Sequence, residues 1–318
     1  HGASGQACLG YSNLIIMDKT TILVCCHKPD DNIRTGYPYF PIQGGKAIHP
    51  EIDLGFPGDD TGDNVSERNQ GWCEASAMYW AWKNLPRAKY FGMSHYRRYV
   101  DIDVSDEKID EEMGDYDMIV TKKSAHPVNN SKTLQYFTCR ENFWIFADTF
   151  LGMHPEYGNE FIDYFFNQNW FYPCNVFVCK WEVFEDYCEF MMPVLIEVDR
   201  RMIPGVYTRQ VRAMSYIAEL MLGFFVHCKK IKVREANMKT CYEEPDWAGK
   251  RYFRSTLERK AYFTAERWLG KLFFRLSQAV GKTHIIADPD VILWLEKDGI
   301  ELNVLSKPFY YDHSRDTK

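Results

Sequence analysis

GDDTGDNVSERNQGWCEASAMYWAWKN (Gly58 to Asn84) and KYFGMSHYRRYV (Lys89 to Val100) pass through a polar loop, a helix and a strand before reaching two adjacent arginines. Apolar side chains at Trp72, Ala75, Met78, Tyr79 and Trp82 recur at helical spacing, so a helix is expected over residues 64–84. Asp63 or Asn64 can cap it, and Pro86 ends it. KYFGMS, Lys89 to Ser94, reads as a buried strand leading straight into His95, Arg97 and Arg98. Two guanidinium groups beside an imidazole suit an anion with planar oxygens, and a diphosphate is the natural candidate. Pairing of Arg97 and Arg98 with Asp101 or Asp103 is the alternative; their place at the end of a central strand favours the ligand.

Further strands lie on either side. TTILVCC, Thr20 to Cys26, is β-branched and apolar, and HKPDD breaks the pattern after it. YDMIVT (Tyr116 to Thr121) and YPCNVFVC (Tyr172 to Cys179) add two more strands. Helical patterns run from Trp181 to Met202 and from Arg209 to His227. Strands alternating with helices imply an α/β fold with a mostly parallel, Rossmann-type sheet flanked by helices. Ligands in such folds bind at the carboxyl ends of strands. The loops after Cys26, Met93 and Val120 should therefore converge on one cleft.

Composition narrows the classes. The chain has 318 residues and a formal charge of −6, which argues against wholesale nucleic-acid binding. No run of 18 apolar residues offers a membrane span. Aromatic residues make up 16%, enough to serve both a core and a sugar site. Ten cysteines are present without any CxxC pair, several inside apolar runs such as ILVCC, as expected of reduced thiols in a cytoplasmic protein. Residues 1–16 are expected to be a leader or an added tail. The catalytic domain is expected over residues 17–235, and a helical C-terminal extension over 236–318.

That extension differs in charge. Residues 251–282 carry eight Lys/Arg and two Glu, a net +6, which leaves −12 on the rest of a chain of net −6. Apolar residues recur there at Leu257, Tyr262, Phe263, Trp268, Leu269, Leu272, Phe273 and Leu276. This is a basic amphipathic helix pattern. It suits either an anionic membrane surface or packing on the catalytic domain with a solvated basic face.

Several blocks together carry a family resemblance. They are YFPIQGG from Tyr39, DTGDNVSERN from Asp60, WCEASAMYWAWKN from Trp72 and HYRRY from His95, with NVFV from Asn175, EDYCEF from Glu185 and SYIAELML from Ser215. In this order, across about residues 20–225, the chain resembles a family of bacterial capsule and O-antigen glycosyltransferases. That family was long known as a domain of unknown function and has since been associated with galactofuranose transfer. The resemblance implies a GT-A-like fold and a UDP-sugar donor, UDP-galactofuranose first among them. It also implies an inverting transfer; the leading expectation is a lipid-linked glycan acceptor at the inner face of the cell membrane, where the basic extension would dock the chain. Another UDP-hexose donor, or a non-catalytic sugar- or nucleotide-binding module, are the alternatives.

In GT-A enzymes the strand corresponding to Lys89–Ser94 leads to an Asp-x-Asp motif that holds a divalent metal. Here it leads to His95-Tyr-Arg-Arg, so Arg97 and Arg98 are expected to neutralise the diphosphate without a metal cofactor. Asp59 with Asp60, and Asp115 with Asp117, are the residues a divalent Mn or Mg would use otherwise. An inverting transfer needs a general base. Glu219, an acid on the otherwise apolar face of Tyr216, Ile217, Leu220 and Met221, is the leading choice, and Asp60 and Asp63 follow. An ion pair of Glu219 with Arg209 or Arg212 is the alternative. Asp63, Asn64, Arg68 and Asn69, at the start of the helix, are expected to line the donor pocket with Asn175. After Leu134-Gln-Tyr136 the family pattern expects a histidine, and this chain has Thr138-Cys-Arg-Glu, which bears on the acceptor. His27, His49, His126 and His227 are expected to be structural or exposed.

Overall fold

Thr20–Cys26 form strand β1, buried along nearly its whole length because its side chains enter apolar clusters on both faces of the sheet. The computed structural model describes residues 19–126, 128–203, 205 and 208–241, with isolated helical positions from Leu257 to Leu272. Residues 1–18, and with them the expected leader, lie outside the described residues, as does most of the basic extension.

The strands after β1 are β2 (Tyr39–Gln43), β3 (Tyr90–His95), β4 (Arg98–Val100), β5 (Met118–Thr121), β6 (Ser124–Ala125), β7 (Trp170–Phe171), β8 (Phe177–Lys180), β9 (Val233–Ala236) and β10 (Met238–Thr240). Eight of them form one sheet with β3 near its centre. β2, β1 and β3 run parallel, β8 is antiparallel to both β3 and β5, and β9 extends the sheet parallel to β5. β4 turns back from β3 and pairs with β10. Apart from β4 and β8, every strand of this sheet points the same way as β3, so the mostly parallel α/β sheet expected from sequence is present. β10 carries the sheet beyond the expected domain boundary at residue 235.

The helices are α1 (Asn69–Trp72), α2 (Glu74–Asn84), α3 (Ile109–Met113), α4 (Asn130–Phe137), α5 (Arg140–Met153), α6 (Gly158–Ile162), α7 (Trp181–Arg201), α8 (Thr208–Val211) and α9 (Ala213–Lys229). Leu23, Phe91, Met93, Met118, Val120, Phe177 and Cys179 face a large core shared with α2, α5, α7 and α9. Their neighbours Ile22, Tyr90, Ile119 and Val178 face a smaller core under α3. This two-residue alternation explains why the strands read as continuous apolar runs. Aromatic packing dominates the larger core: Phe91 stacks on Phe184 at 3.7 Å, and Phe150 meets Phe224 at 4.9 Å. Each such buried ring stabilises the fold by about 1.5–3 kcal/mol.

Three sequence expectations need correction in detail. The helix expected over 64–84 is broken at Cys73, whose φ is +50°, so that Glu74 opens α2. The strand expected over 172–179 contains a turn at Pro173–Asn175 before β8 begins. The helix expected over 209–227 is interrupted at Arg212. All three interruptions border the same region.

Candidate functional site

β1 and β3 end side by side, with Cys25 opposite His95. Topology thus delivers His27, His95 and the arginines to one edge of the sheet. β2 ends next to them in Gly44-Gly45. Gly45 has φ +72°, and a Cβ there would lie 2.6 Å from the Asn69 side chain, so only glycine allows this close approach. Asn69 donates from Nδ2 to the Cys73 carbonyl at 2.8 Å and to Ser76 Oγ at 2.7 Å, which fixes the break between α1 and α2.

The turn at Pro173–Asn175 crosses over this edge. Cys174 N–H donates to Glu219 Oε1 at 2.7 Å, and the Cys174 carbonyl lies 2.7 Å from His95 Nε2. Asn175 is fully buried and donates from Nδ2 to Glu74 Oε1 at 3.0 Å. Cys174 and Asn175 both have positive φ, at 68° and 48°. Backbone strain of this kind is concentrated at functional sites.

Glu219 hydrogen-bonds this turn, whereas the nearby Arg212 guanidinium donates from Nε to Cys73 Sγ at 3.2 Å. Burial raises the Glu219 carboxyl to about 7; the Cys174 N–H opposes the rise, Glu74's charge adds to it, and Arg98 and Arg212 oppose it. Burial also lowers the His27 imidazole, and the charges of Lys28, Arg97, His95 and Arg212 push the same way. Positive groups from three separate segments therefore act on one small region. His27, expected to be structural or exposed, is exposed, with its ring edge-on to Tyr96.

The remaining sequence candidates divide. The positive charge of Arg98, on β4, acts on both Glu219 and Cys174. Arg97 grips Asp30 through Nε at 2.8 Å and Nη2 at 2.6 Å; the Asn32 N–H first, and the Arg97 guanidinium after it, hold that carboxyl at about 2. The acid it meets comes from the loop after β1, not from Asp101 or Asp103. Asp60 is exposed beside the carboxyl end of β2. Asp63 does not join the cleft: it accepts from Tyr79 OH at 3.0 Å and is bonded to Asn84, in the far half of α2. Asn64 serves a local turn, bonding the Gly62 carbonyl and the Ser66 N–H. Arg68 is paired with Asp199 of α7. The break at Cys73 accounts for these departures, because it moves the start of α2 from Asn64 to Glu74, next to the Asn175 turn.

The acids weighed as metal ligands have partners of their own. Asp59 is buried and accepts from Ser66 Oγ, Ser76 Oγ and Lys46 N–H. Asp115 pairs with Lys232 and Asp117 with Lys180, before β5 and so at the opposite end of the sheet. Among the described residues, no group of three or more His, Cys, Asp or Glu side chains is arranged to hold a metal ion.

Residues that sequence reasoning missed are Glu74, Cys73, Cys174 and Arg212 as a cleft residue. Glu74 had one legible signal, an acid at the edge of an apolar helical stripe. The others are defined by contacts between distant segments.

Residues 21–230 match the family model described as Domain of unknown function (DUF4422). The apo structure of the bifunctional glycosyltransferase WbbM superposes with a TM-score of 0.65 and 25% identity, over 71% of this chain and 46% of that one. The chain thus spans about half the length of that protein. No curated protein matches. The mixed α/β sheet is consistent with a GT-A-like glycosyltransferase fold.

Proposed function

The chain belongs to the DUF4422 family, and from that premise we propose that its cleft moves a sugar from a nucleotide-sugar donor to a glycan acceptor. One observation carries the reading: Glu219 is held by Cys174 N–H in a site shared with Arg98, Arg212 and His95. Transfer with inversion needs a base on one side of the reacting carbon and positive charge on the other. Glu219 takes the proton of an acceptor hydroxyl, and the freed oxygen bonds the sugar C1. The C1–O bond to the β-phosphate breaks, and its electron pair leaves on the diphosphate. A carboxyl poised at about 7 suits proton transfer near neutral pH.

Arg98 and Arg212 are the cations proposed for the departing diphosphate, and each such donor is worth about 10²–10³ in rate. Arg97 is assigned to holding the loop of Asp30 against the cleft. Asn175 supports the site from beneath. Tyr136, 67% exposed at the end of α4, is proposed to stack on the acceptor; its neighbour Phe137 packs 5.1 Å from Tyr216.

The donor proposed is UDP-galactofuranose, and the setting is synthesis of a capsule or O-antigen glycan on a lipid carrier. The support is the block of motifs from Tyr39 to Leu222. The proposal extends to a peripheral membrane position. Leu257, Trp268, Leu269 and Leu272 are exposed apolar helical positions within the stretch of net charge +6. Among the described residues, no helix is long and apolar enough to cross a membrane.

Release of UDP from a panel of UDP-sugars, with and without EDTA, tests the reading. UDP-galactofuranose should be turned over selectively, and turnover should survive EDTA. Selective turnover of another UDP-hexose would replace the donor, and loss with EDTA would overturn the arginine-for-metal argument.

A further inference from the structure

Glu74 is 7% exposed, yet it is an acid beside the site of another acid. Its Oε1 accepts from Asn175 Nδ2 at 3.0 Å, a bond that a neutral amide at position 74 would accept equally well. Burying a carboxylate is costly, so a purely structural role would be served better by glutamine. What the acid adds is charge, and the turn directs it. Consecutive residues, Cys174 and Asn175, bind Glu219 of α9 and Glu74 of α2, while the Cys174 carbonyl engages His95 of β3. Tyr187 of α7 locks the turn from behind, reaching Asn175 Oδ1 at 3.5 Å and the Ala218 carbonyl at 3.3 Å. Positive φ at both turn residues lets adjacent groups reach elements on opposite sides.

We propose that Glu74 is a positioning residue of this site: locked to the turn by Asn175, its carboxylate sets how readily Glu219 takes up a proton. This rests on the reading of Glu219 as the base. The groups facing Glu219 are Glu74 from α2, Arg98 from β4, Arg212 ahead of α9, and the Cys174 N–H and thiol from the turn. Arg98 and Arg212 favour the charged carboxylate, and Glu74 opposes it. When a diphosphate occupies the two arginines, the balance shifts towards Glu74, and Glu219 becomes the stronger base as the donor binds.

The test is a carboxyl ¹³C titration of the full-length chain labelled at glutamate, with the Glu219 signal assigned by its loss in Glu219→Gln. In Glu74→Gln the Glu219 midpoint should fall by about one unit, a tenfold weaker hold on the proton. Glu74→Asp, which keeps the charge, should stay near the wild type. The acid limb of the UDP-release profile should move with the midpoint in each variant. An unmoved Glu219 midpoint in Glu74→Gln overturns the proposal, as does loss of turnover at every pH with that midpoint unmoved. Should Glu74→Gln fail to fold, the wild-type Glu74 signal, assigned through Glu74→Asp, must inflect where Glu219 titrates; a flat signal overturns the coupling. Full turnover by Glu219→Gln would remove the base and leave the titration of Glu74 against Glu219 standing on its own.

Discussion

Glu219 is the residue on which chemistry and stability meet. Burial raises its carboxyl from 4.5 to about 7. Between those values the folded chain holds a proton that the unfolded chain releases. Stability should therefore fall as pH rises from about 4.5 to 7, and stay lower above that. Glu219→Gln keeps an oxygen for the Cys174 N–H and removes the charge. It should raise the melting temperature at pH 8, by about 1–2 kcal/mol of stability after allowance for the partial exposure of the site, and change little at pH 4. Thermal melts of both proteins at the two pH values check this. A shift of the same size at pH 4 would mean that the charge is not the cause. On the proposal that Glu219 is the base, this loss accompanies a carboxyl that must stay deprotonable near neutral pH.

At the scale of elements, the informative features are breaks. Cys73 sits at φ +50° and ψ −126°, almost the conformation of Gly114 at φ +50° and ψ −127°. A side chain pays heavily for that geometry, and Cys73→Gly should relieve it, adding about 1 kcal/mol of stability by denaturant titration; Cys73→Val should lose at least as much. Equal midpoints for wild type and Cys73→Gly would contradict the strain argument. The same breaks mark the limit of what the sequence reveals. β1, β3, β5 and the long helices are legible because burial on defined faces leaves a period of two or of 3.6 in the residues. Positive φ at Cys73, Cys174 and Asn175 leaves no mark, since no glycine stands there. The arrangement of the site was legible where one residue violates its own pattern, as Glu219 does on an apolar helix and His95-Tyr-Arg-Arg does at a strand end. A helix read as continuous from Asn64 puts Asp63, Asn64 and Arg68 at its start, whereas α2 starts at Glu74, beyond the break at Cys73. Arg97 was legible as an arginine at the cleft but not as the partner of Asp30, a contact spanning 67 residues.

Across the whole molecule, charge is segregated. Arg98 and Arg212 act on Glu219 alongside Glu74, and the stretch from 251 to 282 carries a net +6 on a chain of net −6. Leu257, Trp268, Leu269 and Leu272 expose apolar surface within it. If a lipid-linked acceptor is the partner, the full-length chain should float with vesicles containing anionic phosphatidylglycerol and less so in high salt. Trp268→Ser with Leu272→Ser should weaken that flotation and leave UDP release from a soluble acceptor intact. Unchanged flotation of the double variant would place the membrane contact elsewhere.

The most direct test of the central claim compares UDP release from UDP-galactofuranose by the wild type and Glu219→Gln, with UDP binding measured on both. A base held by Cys174 N–H among Arg98 and Arg212 predicts that the variant loses turnover by about 10²–10⁴-fold and binds UDP as the wild type does. Turnover near the wild-type level in Glu219→Gln would contradict it and send the search for the base to Glu74 and Asp60.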